Sequence, residues 1–381
     1  MRILYFSDNS SDHNRRFLEK LSFFGHEVWF LDSANDEAAN DSITAGWLPA
    51  GVRRVSHRRV IRRGANPSAY EEFLPEFQSL LAELQPQLVH AGPVQGCGYV
   101  AARSAFHPLL VMSWGSDLLL DAGRNPEWAQ ATAIALRGAD GLVCDCDAVR
   151  MAARSFAPFP DARIAQFPWG VKSGAFSAVG PLPAGVSWPA EPETFRFIST
   201  RSWDTLYGTD VLLESFRRAH SENKMLRLLL PGDGPMAGTV REFIARHGLH
   251  QAVLTPGRLS AAELPGWFRA AHAYVSCARS DGTSISLLEA MATGLPVLVT
   301  DIPANREWVR AGENGWLAAG GSAQDFAGKL LRIAALKPPE REAIGERNRK
   351  IVAERADWDR NFPQLLDLYE RLVKAKVVMP A

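Results

Sequence analysis

Apolar residues along this chain fall into short runs separated by amphipathic stretches, regularly enough to place most elements. Arg2-Ile3-Leu4-Tyr5-Phe6-Ser7 predicts a short buried strand, and the polar loop SDNSSDHN follows it. RRFLEKLSFFG has helical spacing with Gly25 as its stop signal, and HEVWFLD predicts the next strand. Ser68 to Gln85 predicts a helix, LVHAG a strand, GCGYVAARSAF a helix, and PLLVMSWGSD a strand with its loop. Trp128 to Arg137 is again helical, and DGLVCD predicts a buried strand. Short apolar strands alternating with helices predict a parallel sheet covered on both faces.

Between about Gly174 and Thr194 the periodicity lapses into FSAVGPLPAGVSWPAEPET, which carries four prolines and predicts an interdomain connector. The alternation then restarts. FRFIST, MLRLLL, AVLTPG, HAYVSC and LPVLVTD predict strands. TDVLLESFRRAH, MAGTVREFIARHG, AAELPGWFRAA and ISLLEAMATG predict the helices between them. A largely helical tail runs from about Asp325 to Val373. The expected class is α/β with two doubly wound domains. Open parallel sheets bind ligands beyond the carboxyl ends of their strands, so the strand-ending loops are where chemistry is expected.

Composition narrows the class of partner. A chain of 381 residues exceeds one ordinary core, and 46% apolar with 22% charged residues is a soluble globular balance. Lys+Arg and Asp+Glu both number 42, so no global charge points to nucleic acid or a membrane. The start, MRILYFSD, has no apolar leader, and no run approaches the roughly eighteen apolar residues of a spanning helix. Four scattered cysteines fit a reduced cytoplasmic protein, and the lone Cys144-Asp145-Cys146 pair is a weak metal motif. One local charge cluster stands out: Gly51 to Arg63 holds six arginines and a histidine. It suits a solvated edge strand whose arginine stems cover apolar surface. It also suits a patch for anionic head groups or a phosphate-bearing acceptor.

Four loops of the second half could carry chemistry. In STRSWDTLYGTD, Arg201 follows a strand and Gly208-Thr209-Asp210 opens a helix, a natural anion clamp. In LLLPGDGPM, Gly232 and Gly234 allow a sharp turn and a close backbone approach. VLTPGRLS offers Arg258 to a base or phosphate. SDGTSISLLEAMATGLPV sets Asp281 in a loop and Glu289 inside the following helix, whose amides point toward the space between them. Ser286-Leu287-Leu288-Glu289 is also a ready capping box, so a helix cap competes with a working carboxylate pair.

Taken with its neighbours, that stretch resembles the E-x7-E region of GT-B glycosyltransferases of the large retaining family 4. Asp281 to Val297, Thr300-Asp301 and Asn305-Arg306-Glu307 follow the family pattern. FISTRSWDTLYGTDVLLESF, PGDGP, NGWLAA and ADWDRNFPQLLDLYERLV extend it along the chain. The resemblance implies two Rossmann-like domains facing a cleft. The acceptor-binding domain would span 1–173, a linker 174–194, the nucleotide-sugar domain 195–355, and 356–381 a helix returning to the first domain. It implies that Glu289 holds the ribose of a nucleotide sugar and Asp281 the hydroxyls of the transferred sugar. Amides of Thr283, Ser284 and Ile285 would face the sugar and diphosphate, and Arg201 would neutralise the diphosphate. Gly234 lies in the glycine turn, and Arg258 along the base.

Three positions depart from the family. Asp281 replaces a glutamate, and Tyr207 replaces a lysine, which leaves Arg279 as a candidate second cation. The first-domain glycine loop is absent and its His-Gly pattern has become Trp114-Gly115-Ser116-Asp117. His13, Trp114 and Asp117 are the acceptor-side candidates, with a helix cap as the structural alternative for Asp117. The implied activity is metal-independent, retaining hexosyl transfer from a UDP- or GDP-sugar to a sugar, lipid-linked or other hydroxyl acceptor. It would need no cofactor and would serve cell-surface polysaccharide or glycoconjugate assembly. The expected place is the cytoplasm, with peripheral contact at the inner membrane face. The alternative is an inactive nucleotide-sugar-binding partner of another transferase.

Overall fold

Parallel strands need crossover connections, and in this chain amphipathic helices supply them. The structure is a computed structural model that describes residues 1–34, 47–62, 64–171, 174–183 and 194–378. It divides into two compact units, Met1–Phe167 with the chain from Phe362 onward, and Pro168–Asn361.

The first unit is built on seven strands: β1 (Arg2–Ser7), β2 (Glu27–Asp32), β3 (Val52–Arg54), β4 (Leu88–Ala91), β5 (Leu109–Met112), β6 (Gly141–Cys144) and β7 (Ile164–Gln166). They pair in the order β3-β2-β1-β4-β5-β6-β7, every pair parallel. β4, β5 and β6 are buried at every position, as a sheet covered on both faces requires. The last helix, Pro363–Val378, belongs to this unit: Leu365, Leu368 and Tyr369 are fully buried, and the Tyr369 hydroxyl bonds His90 Nδ1 on β4.

The second unit holds β8 (Phe195–Ile198), β9 (Leu226–Leu229), β10 (Val253–Leu254), β11 (Ala273–Ser276), β12 (Val297–Thr300) and β13 (Gly315–Ala318). Their order is β10-β9-β8-β11-β12-β13, again all parallel. Phe195, Phe197, Leu228, Val275 and Leu298 form one core with Phe216 from a covering helix. In both sheets the order runs outward from the first strand and then resumes on its other side. The reversal lies between β1 and β4 in one unit and between β8 and β11 in the other. Loops leaving the two strands at such a reversal diverge to opposite faces and open a crevice.

The sequence expectations differ from the structure at identifiable points. The helix expected over Ser68 to Gln85 is two, Pro67–Glu71 and Leu74–Leu84. Pro75 has no N–H to give the carbonyl four residues back, which breaks the ladder at Glu71. The helix expected over GCGYVAARSAF begins as a wider turn at Val94–Gly98 and is α-helical only over Tyr99–Arg103. Beside the expected boundaries at 173 and 356, the compact units divide after Phe167 and after Asn361. Within the second unit, Val171 bridges Asp357, and a Cβ on Gly170 would lie 2.4 Å from the Ala356 carbonyl oxygen, so these two segments pack closely. Much of the expected connector, and Arg63 of the arginine cluster, lie outside the described residues.

Candidate functional site

The candidate site lies where the second sheet reverses. β8 and β11 are hydrogen-bonded neighbours, with Phe197 beside Ala273 and Ile198 beside Tyr274. Their outgoing loops therefore bring Arg201 and Asp281, eighty positions apart in sequence, to one place. Arg201 Nη2 is 2.8 Å from Asp281 Oδ2, with side chains 14% and 18% exposed. Nη1 donates to Ser284 Oγ at 2.9 Å and to Ser286 Oγ at 3.4 Å. The chain of hydroxyls continues: Ser286 Oγ is 3.1 Å from Ser284 Oγ and 2.8 Å from the buried Tyr274 hydroxyl. The Arg201 guanidinium lies over the Tyr207 ring, 4.0 Å from its centroid. Tyr207 stands where the resembling family has a lysine, so a flat apolar platform replaces a second cation.

The helix that follows runs Ile285–Thr293, and its cap corrects the sequence expectation. Ser284, not Ser286, is the N-cap: its hydroxyl accepts from the Leu287 amide at 3.4 Å. The residue three beyond the cap is then Leu287, so no Ser286–Glu289 capping box forms. Ser286 is freed from capping and its hydroxyl turns to Arg201 and Tyr274. Leu288 donates the first helical bond to the Ser284 carbonyl, so the amides of Ile285 and Ser286 open the helix at the positive end of its dipole. Glu289 sits one turn in, on the face of Ile285, close enough to influence the Arg201 charge. Burial opposes that charge, but Asp281 first, then Tyr207, Tyr274 and Glu289, together outweigh it and hold the guanidinium above the ordinary arginine range. Burial pushes the Asp281 carboxyl up, against the pull of Arg201, the Gly282 amide and Ser284.

Three strand-ending loops are stitched together beside this pair. Trp203 N donates to the Asp233 carbonyl at 3.0 Å, Met236 N to the Trp203 carbonyl at 2.9 Å, and Gly232 N to Gly257 at 2.9 Å. A Cβ at Gly234 would lie 2.5 Å from the Trp203 carbonyl oxygen, so the close approach requires glycine. Arg258, in the third loop, is exposed. Arg279, the candidate second cation, is already engaged: it holds Asp210 through 2.6 and 3.1 Å contacts and also bonds the Thr205 carbonyl. Thr283 and Ser284 are both buried at the helix entrance. Ser286 and Tyr274 were not among the sequence candidates. Ser286 was visible as a helix-start serine, whereas nothing in the alternation singled out Tyr274.

The first-unit candidates separate. His13 is the second residue of helix Asp12–Phe23, which Ser11 caps through the Asn14 amide. Its ring lies 5.9 Å from that of Trp114, which follows β5, so the structure brings these two together. Asp117 turns inward instead. It is 3% exposed, and it accepts from Ser113 Oγ at 2.6 Å, Leu118 N at 3.0 Å and Val94 N at 3.1 Å. It ties the loop after β5 to the loop after β4, the structural role expected as the alternative for this residue. The arginine cluster begins on β3, the edge of its sheet. Arg53 pairs with Glu27 at 2.9 Å, Arg59 pairs with Glu72, and the Arg54 guanidinium lies 6.0 Å from the Phe30 ring centroid. No helix among the described residues is long and apolar enough to cross a membrane.

Comparison with known proteins extends what this geometry implies. The family described as Glycosyl transferases group 1 matches residues 193–335, and Glycosyl transferase 4-like matches 2–146. The chain is 26% identical over 280 residues to the D-inositol 3-phosphate glycosyltransferase of Pseudarthrobacter chlorophenolicus, covering 71% of this chain and 66% of that one. It is 28% identical over 153 residues to the putative colanic acid biosynthesis glycosyltransferase WcaL of Salmonella typhimurium, covering 39% and 38%. The chain thus spans two thirds or less of these relatives' own lengths. In structure it resembles sucrose-phosphate synthase of Thermosynechococcus elongatus, with TM-score 0.84 at 19% identity over 98% of this chain and 100% of that one. Anabaena HepE in complex with UDP and glucose gives TM-score 0.75 at 16% identity over 98% and 100%. One family match falls on each doubly wound unit, Glycosyl transferase 4-like on the first and Glycosyl transferases group 1 on the second, and the solved neighbours share both units: the chain has the GT-B glycosyltransferase fold.

Proposed function

We propose that this protein is a retaining glycosyltransferase that moves a hexosyl unit from a nucleotide-diphosphate sugar to a hydroxyl acceptor. The observation that carries this is the meeting of Arg201 with the amide-bearing start of helix Ile285–Thr293 at the reversal of the second sheet. A guanidinium fork and oriented amides in a largely buried site favour the charge that builds on a departing diphosphate. Glu289 holds the ribose hydroxyls and Asp281 those of the transferred sugar, while the loop carrying Arg258 lies along the base. The bond from the anomeric carbon to the phosphate oxygen breaks, and the acceptor oxygen bonds that carbon on the same face. The acceptor proton passes to the departing phosphate oxygen. HepE, crystallised with UDP and glucose, and WcaL, assigned to colanic acid biosynthesis, support a nucleotide-sugar donor and a polysaccharide or glycoconjugate product.

The test is a thermal-shift panel of UDP, GDP and their sugar conjugates, since a ligand of the native state raises its midpoint by mass action. One base series should shift the native protein. Arg201→Ala should abolish the shift and lower kcat/KM for transfer by about 10²- to 10³-fold. Binding without turnover under every acceptor tried would instead support an inactive partner, to which the tyrosine in place of lysine at position 207 would be suited.

A further inference from the structure

We propose that Asp281 is an internal competitor for Arg201, and that it makes the site prefer the intact sugar nucleotide over the spent nucleoside diphosphate. This rests on the donor reading above and adds a determinant of specificity to it.

The Arg201–Asp281 contact differs from the two-pronged arginine–carboxylate pairs of its unit, while Arg218–Glu214, Arg246–Glu242 and Arg310–Glu313 are single contacts at more exposed positions. Arg217 meets Glu214 through two bonds of 2.7 Å, Arg306 meets Asp301 at 2.6 and 3.0 Å, and Arg279 meets Asp210 at 2.6 and 3.1 Å. Each of these three is a two-pronged, aligned grip on an exposed or half-exposed surface. Arg201 and Asp281 approach to 2.8 Å through one atom each, and Asp281 Oδ2, though buried, accepts no aligned hydrogen bond. Arg201 Nε is also buried without a hydrogen-bond partner. Charge holds the pair, and half of the guanidinium fork is unused. Two phosphate oxygens aligned with Nε and Nη2 make the bidentate grip that Asp281 does not.

Once a diphosphate takes Arg201, Asp281 is a buried carboxylate without its cation, which is strongly unfavourable. Among the described residues of this unit's site, no second cation replaces the first. Arg279 is committed to Asp210, Tyr207 is uncharged, and Glu289 carries the same sign. The Gly282 amide and Ser284 hydroxyl remain, and burial already pushes the carboxyl up with Arg201 present. Hydroxyls of a transferred sugar would donate to Asp281 and restore its partners. A nucleoside diphosphate lacks that sugar, and its ribose hydroxyls go to Glu289. Asp281 therefore reclaims Arg201 after transfer and displaces the product, whereas the intact donor satisfies both groups at once.

Isothermal titration tests this with UDP, GDP, UDP-glucose, UDP-N-acetylglucosamine and GDP-mannose on the native protein and on Asp281→Asn. The native protein should bind its best sugar nucleotide at least about tenfold more tightly than the matching diphosphate, the scale of a lost hydrogen bond to a charged group. Asp281→Asn should close that gap, chiefly by binding the diphosphate more tightly. A native protein that binds the diphosphate as tightly as the sugar nucleotide would overturn the proposal, as would a gap that persists in the variant. Should the variant not fold, the native ratio decides alone. Absence of binding by the whole panel overturns the donor reading and this proposal together, while binding without a gap overturns only this one.

Discussion

Tyr207 shows how one exchanged side chain alters the physics of an anion site. A lysine there would add a second cation. The tyrosine instead gives Arg201 a face to rest on, 4.0 Å from guanidinium to ring centroid. A largely desolvated cation–π contact is worth on the order of 1–2 kcal/mol. Tyr207→Leu should therefore weaken donor binding roughly 5- to 30-fold. Tyr207→Phe, which keeps the ring, should stay close to the native value. Titration calorimetry separates the two; equal losses in both would show that the hydroxyl, not the ring, matters. The contrast with Asp117 is instructive at the same scale. Both residues follow a strand in a candidate loop, but three hydrogen-bond donors surround the Asp117 carboxylate, and a group so satisfied has little left for a ligand.

At the scale of elements, Gly208 joins the two strand-ending loops that make the site. Its φ of +64° is left-handed, and a Cβ there would lie 2.0 Å from the Cys277 carbonyl oxygen. Gly208→Ala would force apart the start of helix Thr209–Glu222 and the loop after β11, at a cost of roughly 2–4 kcal/mol. The thermal midpoint should fall and donor binding should weaken with it; an unchanged midpoint would refute the packing argument. That glycine was legible in the sequence as part of Gly208-Thr209-Asp210, but its contact with Cys277 was not. Alternation of apolar runs located ten of the thirteen strands among the described residues, because a strand buried on both faces leaves a local signature; the short β7 and β13 were missed, and β3 was suggested only by the arginine cluster. Strand order leaves none, and it is strand order that puts Arg201 beside Asp281. The true cap was similarly hidden. Ser284 and Ser286 are both plausible caps by type, and the hydroxyl of Ser286 is taken up by Tyr274, twelve positions before it, and by Arg201, far away in sequence.

For the whole molecule, each unit carries a histidine at its sheet, buried in the first and part-buried in the second, and the pair predicts how the protein responds to acid. His90 on β4 is enclosed, with Tyr369 at Nδ1 and Nε2 buried without a partner, and burial lowers it to about 3. His272, just before β11, is lowered to about 4 by burial, then by the Arg196 and Arg341 guanidinium groups, and the Arg196 amide donates to its Nδ1 at 3.1 Å. His26 and His220 are also lowered, chiefly by burial. In the unfolded chain all four titrate near the ordinary value of about 6.5. Through these histidines the native state binds fewer protons than the unfolded state below that pH, so their contribution to stability rises with pH through the window and falls on acidification. The full contribution is present above about pH 6.5. It is lost progressively toward the folded values near 4 and 3, at up to about 1.4 kcal/mol per pH unit for each histidine. Hydrogen exchange at β4 and β11 between pH 7 and 5, corrected for intrinsic rates, reads the units separately, and both should lose protection together. His272→Gln should flatten the loss at β11 by about one proton and leave β4 unchanged. Protection that holds constant across that interval would show that the unfolded chain binds no more protons than the fold, and the buried-histidine account would fail.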